Sequence, residues 1–219
     1  MAATAGKKGR GAQKAKRPES YHHGSLKQAL LEAAERILER EGIQGLTLRA
    51  AAREAGVSHA APKNHFGDLS GLLSELAAVG FTRFVETLQA RLRASDAPAA
   101  RMGAIGHGYV AFARAHPGLF LLMFRSERLD LSRPSLRDAV AASSQVLAGA
   151  VAARSGESVP QEKLTLAQAA GVVGPWALVH GFAMLLLDGR LKGIMARLPQ
   201  VKDETALLDA IFQAGRPKA

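Results

Sequence analysis

Apolar residues recur at spacings of three and four along most of this chain, the period at which side chains return to one face of an α-helix. Leu26, Leu30, Ala33, Ala34, Ile37 and Leu38 form the first such stripe, and Glu32, Glu35, Arg36, Glu39 and Arg40 cover the other side. Ser25 and Gln28 make a capping-box pattern at its start, and Gly42 is expected to stop it. Thr47 is a good N-cap for Leu48 to Ala55, a segment rich in Ala and Arg that forms two helical turns at little cost. Gly56 suits the left-handed residue that ends such a helix, and Val57 follows as an apolar plug. Ser58 is expected to cap a further short helix from His59 to about His65, in which Pro62 forfeits one early backbone bond. After Asp68, Leu72, Leu73, Leu76, Val79, Phe84 and Leu88 mark a long helix to about Arg93, with Gly71 and Gly80 as soft points.

The pattern breaks at Ser95 to Ala99, SDAPA, and a second region begins. Met102 to Ala115 reads as a helix closed by His116, Pro117 and Gly118. Leu119 to Phe124, LFLLMF, is expected to be a core helix, because helical periodicity resumes on both sides. A polar loop covers 125 to 133, a helix Ser135 to Ala153, and a loop SGESVPQE. Leu164 to Leu191 is the most apolar stretch. Pro175, His180 and Asp188 interrupt it, so a buried or interface helix is expected rather than a membrane span. A last amphipathic helix runs from about Asp203 to Ala214, with Leu207, Leu208, Ile211 and Phe212 on one side.

The segment Thr47 to Phe66 therefore reads as two short helices joined by a tight turn. The second offers small residues, Ala60 and Ala61, followed by long polar ones, Lys63, Asn64 and His65. That profile suits a helix whose N-terminal end lies against base edges in the DNA major groove. Ser58, His59, Ala60, Ala61, Lys63 and Asn64 form the groove-facing set: Asn64 can pair bidentately with adenine, and an alanine methyl can meet that of thymine. Thr47, Arg49, Lys63 and His65 are candidates for phosphate contacts. The alternative is an ordinary helical hairpin in a core, which the hairpin pattern alone does not exclude.

Charge and composition bear on that choice. The 219 residues carry a formal net charge of +10, which suits a polyanionic partner and would also suit an anionic membrane surface. Apolar residues make up 47% and aromatics only 5%, a balance that favours helices over strands. The absence of cysteine removes disulfides, thiolate metal sites and cysteine catalysis, and fits a cytoplasmic protein. No early run of residues has a signal peptide's apolar core. Residues 1 to 19 form a tail with Lys7, Lys8, Arg10, Lys14, Lys16 and Arg17 against Glu19, read either as a solvated leader or as an arm on DNA. His22 and His23 have no carboxylate or thiol at ligand spacing, so no metal and no cofactor is expected. An enzyme is disfavoured by the lack of a Gly-rich phosphate loop, GxSxG, HExxH or an acid pair in an apolar setting. His107, His116 and His180 read as cavity or core residues without a placed partner.

The first helix, Thr47, AGVS at 55 to 58, HF at 65 to 66 and LL at 72 to 73 together resemble the N-terminal domain of the tetracycline-repressor (TetR) family, over about Tyr21 to Phe84. Trp176, His180 and Gly181 resemble the Trp-His-Gly motif of a subgroup of TetR-like C-terminal domains, as does HPGLFLLMF at 116 to 124. The resemblance implies an all-α protein: a helix-turn-helix DNA-binding domain over 20 to 67, then a larger ligand-binding and dimerisation domain over 68 to 219. Lys63 replaces the family's usual phosphate-touching aromatic and Leu69 its frequent phosphate-binding lysine; the tail stands just upstream to restore that affinity. The implied function is a cytoplasmic homodimeric regulator, with the family leaning to repressors, that binds a palindromic double-stranded operator and answers to a small-molecule effector. Tyr109, Phe112, Phe120, Met123, Phe124, Trp176, His180 and Met184 are best suited to line its cavity, which points to a hydrophobic effector. Gly171, Gly174, Ala177 and Gly181, with the Leu207 to Phe212 face, are the expected dimer surface. The alternatives are a sequence-independent DNA-coating protein and an enzyme using the C-terminal cavity.

Overall fold

The computed structural model describes residues 23–93, 98–125, 127–156, 158–160 and 162–214. The basic tail, His22 and most of the Ser95–Ala99 turn lie outside them. Among the described residues there are ten helices and no strands: α1 (His23–Gly45), α2 (Leu48–Glu54), α3 (Ala61–Phe66), α4 (Leu69–Arg93), α5 (Pro98–Ala115), α6 (Pro117–Arg125), α7 (Pro134–Ser155), α8 (Leu166–Leu187), α9 (Lys192–Met195) and α10 (Glu204–Ala214). The all-α expectation holds.

α1 buries its predicted stripe, with Leu30, Ala33, Ala34, Ile37 and Leu38 excluded from solvent. The helix starts at His23, two residues before the expected Ser25 cap, and Gln28 Nε2 donates along the helix to Glu32 Oε1 at 3.0 Å. Gly42 breaks the helical geometry at φ 70°, and the chain continues to Gly45 before Leu46 plugs the gap beneath α2. Thr47 caps α2 as expected, its Oγ1 accepting from the Ala50 N–H at 3.0 Å. Gly56 makes the turn at φ 67°, a conformation open to glycine at little cost. α3 begins at Ala61, two residues later than expected. Ser58 Oγ accepts from the Ala60 N–H at 3.3 Å, but Ala60 is the N-cap. Pro62 consequently falls in the first turn, where its missing N–H would have had no helical partner, so it forfeits nothing.

α4, about 37 Å long at 1.5 Å per residue, is the spine shared by head and body. Asp68 Oδ1 caps it by accepting from the Gly71 N–H at 2.8 Å. Its two glycines are close-packing points rather than soft ones. A Cβ on Gly71 would stand 2.0 Å from the Phe66 carbonyl oxygen, and one on Gly80 2.6 Å from the Met123 sulfur. α5, α6 and α7 pack along α4, and α8 packs on α5.

α8 is, among the described residues, the one helix long and apolar enough to cross a membrane by length and composition. It is packed as a protein helix all the same: Val179, Phe182 and Ala183 are buried, and His180 is hydrogen-bonded inside the body. The apolar face of α10 packs in part against its own chain: Leu208 is fully buried and Phe212 lies where a Cβ on Gly106 would be, while Leu207, Ile211 and Phe212 stay half-exposed.

Candidate functional site

Two surfaces gather the candidate residues. On α3, Pro62 and Phe66 are buried four residues apart and Ala61 is half-buried, which fixes the helix against α1, α2 and α4. The opposite side carries His59, Ala60, Lys63 and Asn64, all exposed, with Ser58 beside them. Thr47 and Arg49 are exposed at the start of α2. His65 is half-buried against Phe66, ring centroids 6.2 Å apart, so it and Ala61 stand at the edge of the exposed set. The arginines of α1 do not extend this surface. Glu54 of α2 accepts from Arg36 Nε at 3.1 Å and from Arg40 Nη2 at 3.2 Å, which braces the first two helices and holds the Glu54 carboxyl below its ordinary range.

The second site is a cavity of about 340 Å³ in the body, walled by α4, α5, α6, α7, α8 and the loop before α7. Of the eight candidates, Tyr109, Met123, Phe124 and Trp176 lie on its wall. Phe112 and Phe120 are fully buried one layer behind, Met184 packs on the core, and His180 stands behind the wall against Tyr109, Phe124 and Trp176. The rings form one network. Phe84 meets Tyr109 edge-on at 5.1 Å and Phe112 at 5.2 Å, Phe120 meets Phe124 at 5.0 Å, and His180 meets Phe124 at 5.1 Å.

Wall residues not expected include Phe81, Phe84 and Leu88 of α4, Val140, Ser143 and Ser144 of α7, Val173 and Val179 of α8, and Leu129 and Leu131 of the loop. The aromatic pair on the buried stripe of α4 was the signal for the first set. Leu131, Val173 and Trp176, exposed by 62%, 52% and 41%, form the mouth.

Among the described residues no charged side chain lines the cavity. Ser143 and Ser144 each donate to the Val140 carbonyl of their own helix, at 2.8 and 3.1 Å. Trp176 Nε1–H donates to the Tyr109 oxygen at 3.4 Å, and the Tyr109 hydroxyl and His180 Nδ1 share a hydrogen bond of 2.8 Å. Burial raises the Tyr109 hydroxyl well above its ordinary value, against the opposing hydrogen bond from Trp176, so the phenol is neutral. The partners of two candidate histidines, not visible in the sequence, are thus Tyr109 for His180 and Asp209 for His107, the latter at 2.7 Å. Among the described residues no cluster could hold a metal ion.

A family model described as "Bacterial regulatory proteins, tetR family" matches residues 30–76, and one described as "Tetracyclin repressor-like, C-terminal domain" matches residues 102–211. Among curated proteins, an HTH-type transcriptional regulator of Bacillus subtilis, YobS, is 26% identical over 111 residues, which cover 49% of this chain and 58% of that one. A structure from Rhodococcus sp. RHA1, of unknown function, is 38% identical with a TM-score of 0.64, covering 80% of this chain and 89% of that one. The B. subtilis transcriptional regulator FadR, solved with stearoyl-CoA, shares the fold at 15% identity and a TM-score of 0.60, covering 85% and 95%.

Proposed function

The chain belongs to the tetracycline-repressor family of transcriptional regulators, and from that premise we propose that it is a cytoplasmic homodimeric repressor released from a palindromic operator by a hydrophobic small molecule. The observation that carries the reading is the cavity: apolar and aromatic walls, no charged side chain among the described lining residues, and one polar cluster of Tyr109, Trp176 and His180. Such a site rewards an apolar ligand with a single hydrogen-bonding group and penalises a sugar phosphate, whose charges would be buried without partners.

The cavity wall includes Phe81, Phe84 and Leu88 of α4, whose other end abuts α3. Ligand in the cavity and DNA on α3 therefore act on one helix. If each favours a different placement of the head, they oppose one another reciprocally, by the difference in ligand affinity between the two placements. FadR's stearoyl-CoA is a reasonable first probe, since an acyl chain suits these walls.

The test begins with a duplex selected from a randomised pool by the wild-type chain. Stearoyl-CoA and the neutral dye Nile red are then titrated against the complex, with Trp176→Ala and His180→Ala alongside. A palindromic selected site and release weakened in the variants support the reading. Uniform protection of any duplex would establish DNA coating instead, and release unaltered in both variants would move the ligand site elsewhere.

A further inference from the structure

The loop of 127–133 between α6 and α7 contributes Leu129 and Leu131 to the mouth of the cavity. It is also stitched to the junction of α3 and α4. Ser70 Oγ donates to the Arg128 carbonyl at 2.6 Å, and the Asp130 N–H donates to Ser74 Oγ at 2.9 Å. Ser74 is the one buried polar side chain in the described core. The loop ends at Arg133, whose Nη2 donates at 2.8 Å to the carbonyl oxygen of Phe66, the last residue of the DNA-facing helix. Gly71 makes room for that guanidinium, since a Cβ there would lie 2.4 Å from Nη2. A cation at a helix C-terminus satisfies a carbonyl that has no helical donor and opposes the partial negative charge there.

The rest of the guanidinium is poorly satisfied. Its Nε is buried without a hydrogen-bond partner. Two carboxylates wait just out of range, Asp130 Oδ2 at 3.7 Å from Nε and Glu75 Oε1 at 3.8 Å from Nη1. A loop shift of less than an ångström would carry Nη2 beyond hydrogen-bonding range of Phe66, since such bonds form below about 3.2 Å, while Asp130 and Glu75 would still pair the charge. The guanidinium therefore has charge partners whether or not it holds α3.

We propose that Arg133 is the positioning residue of the DNA-facing helix and the link by which the cavity mouth controls it: ligand displacing Leu129 and Leu131 moves the guanidinium off the Phe66 carbonyl and leaves its charge paired with Asp130 and Glu75. This inference rests on the reading of the cavity as the effector site, and it names the side chain that carries the signal. It runs beside the contact of the ligand with α4 and separates from it in experiment.

The test uses the full chain, the selected duplex, and Ser143→Trp as a built-in occupant. Ser143 lines the cavity, and its hydroxyl bonds only within α7. Affinities are measured for wild type, Arg133→Gln, Arg133→Lys, Ser143→Trp and the Arg133→Gln/Ser143→Trp double variant, with thermal melts to establish that each folds. Arg133→Gln is expected to weaken DNA binding about tenfold, the usual effect of losing a charge-assisted bond to a buried acceptor, and Arg133→Lys is expected to recover part of it. Ser143→Trp should weaken binding alone yet add nothing to Arg133→Gln, a non-additivity that mere destabilisation would not produce. Unchanged affinity in Arg133→Gln, or single effects that multiply in the double variant, would overturn the proposal. A silent Ser143→Trp beside a weakened Arg133→Gln would leave the positioning role standing and remove the cavity reading.

Discussion

The head meets the body through a few side chains whose roles are set by space and charge. Gly71 is one. With the Phe66 oxygen and the Arg133 guanidinium in the space a methyl would take, Gly71→Ala forces the start of α4 away from the end of α3. Overpacking of this kind costs about 1–3 kcal/mol, so a melting temperature several degrees lower is expected, together with weaker DNA binding. An unchanged melt would mean that the junction adapts freely. Glu75 is another: Lys27 Nζ reaches it at 2.8 Å and Ser135 Oγ at 3.0 Å, from α1 and α7 respectively. Burial alone would raise its carboxyl, but Lys27, Ser135 and Arg133 together hold it below the ordinary 4.5. A depressed folded value contributes stability fully present above the unfolded value and lost as pH falls through the folded one. Glu75→Gln should accordingly lower the melting temperature at pH 7 and bring variant and wild type together as pH falls below 4.5 through the folded value, which a melting series from pH 7 downward would check. Neither residue's role is readable locally. Glycine at 71 looks like a weak point in a helix until Phe66 and Arg133 are brought against it from 5 and 62 positions away.

At the scale of the element, legibility follows the range of the interaction that decides it. Thr47 and Gly56 were readable because a cap and a left-handed turn involve only near neighbours. The start of α3 was misread by two residues because serine is the stronger local cap, while tertiary burial of Pro62 and Phe66 sets where that helix sits. Most of the cavity wall was illegible for the same reason, since Val140 and Ser143 face it only once α7 lies beside α4. The short α9, four residues long, left no period to detect. The exposed side of α3 yields a sharper expectation. Asn64 and Lys63 stand outward together, and only Asn64 has both a donor and an acceptor for a base edge. Asn64→Ala should cost about 1–3 kcal/mol and relax the sequence preference at one position per half-site. Lys63→Ala should weaken binding evenly across sequences and lower the salt slope by about 1. Competition binding on single-position operator variants at two salt concentrations separates these outcomes, and full affinity in both variants would take α3 out of the interface.

For the whole molecule, α8 poses the strongest demand. It is apolar all round, yet only the side bearing Val179, Phe182 and Ala183 is buried. Outward stand Leu166, exposed by 87%, with Val173, Gly174, Ala177 and Leu185. With exposed Ala170 and half-exposed Gly181 they recur every three to four residues, as one face of the helix does. A Cβ on Gly174 or Gly181 would meet nothing within 4 Å, so nothing in the chain's own packing requires glycine there, whereas a partner helix approaching closely would. α10 adds half-exposed Leu207, Ile211 and Phe212 beside exposed Ala206, Ala210 and Gln213, a surface a second chain can also lie against. Two copies pairing α8 with α8 about a two-fold axis would cover the apolar face and set two α3 helices at a fixed separation, the geometry a palindrome demands. Val173→Asp and Ala177→Asp each place a charge at the centre of that contact while leaving the protomer's core untouched. Sedimentation at micromolar concentration is expected to show a dimer for the wild-type chain and a monomer for the double variant, with helicity unchanged by circular dichroism. DNA binding should fall steeply with it, because two linked heads bind at an effective concentration that single heads lack. A double variant that stays dimeric would place the two-fold contact on another face, and a monomeric variant with full operator affinity would show that one head suffices.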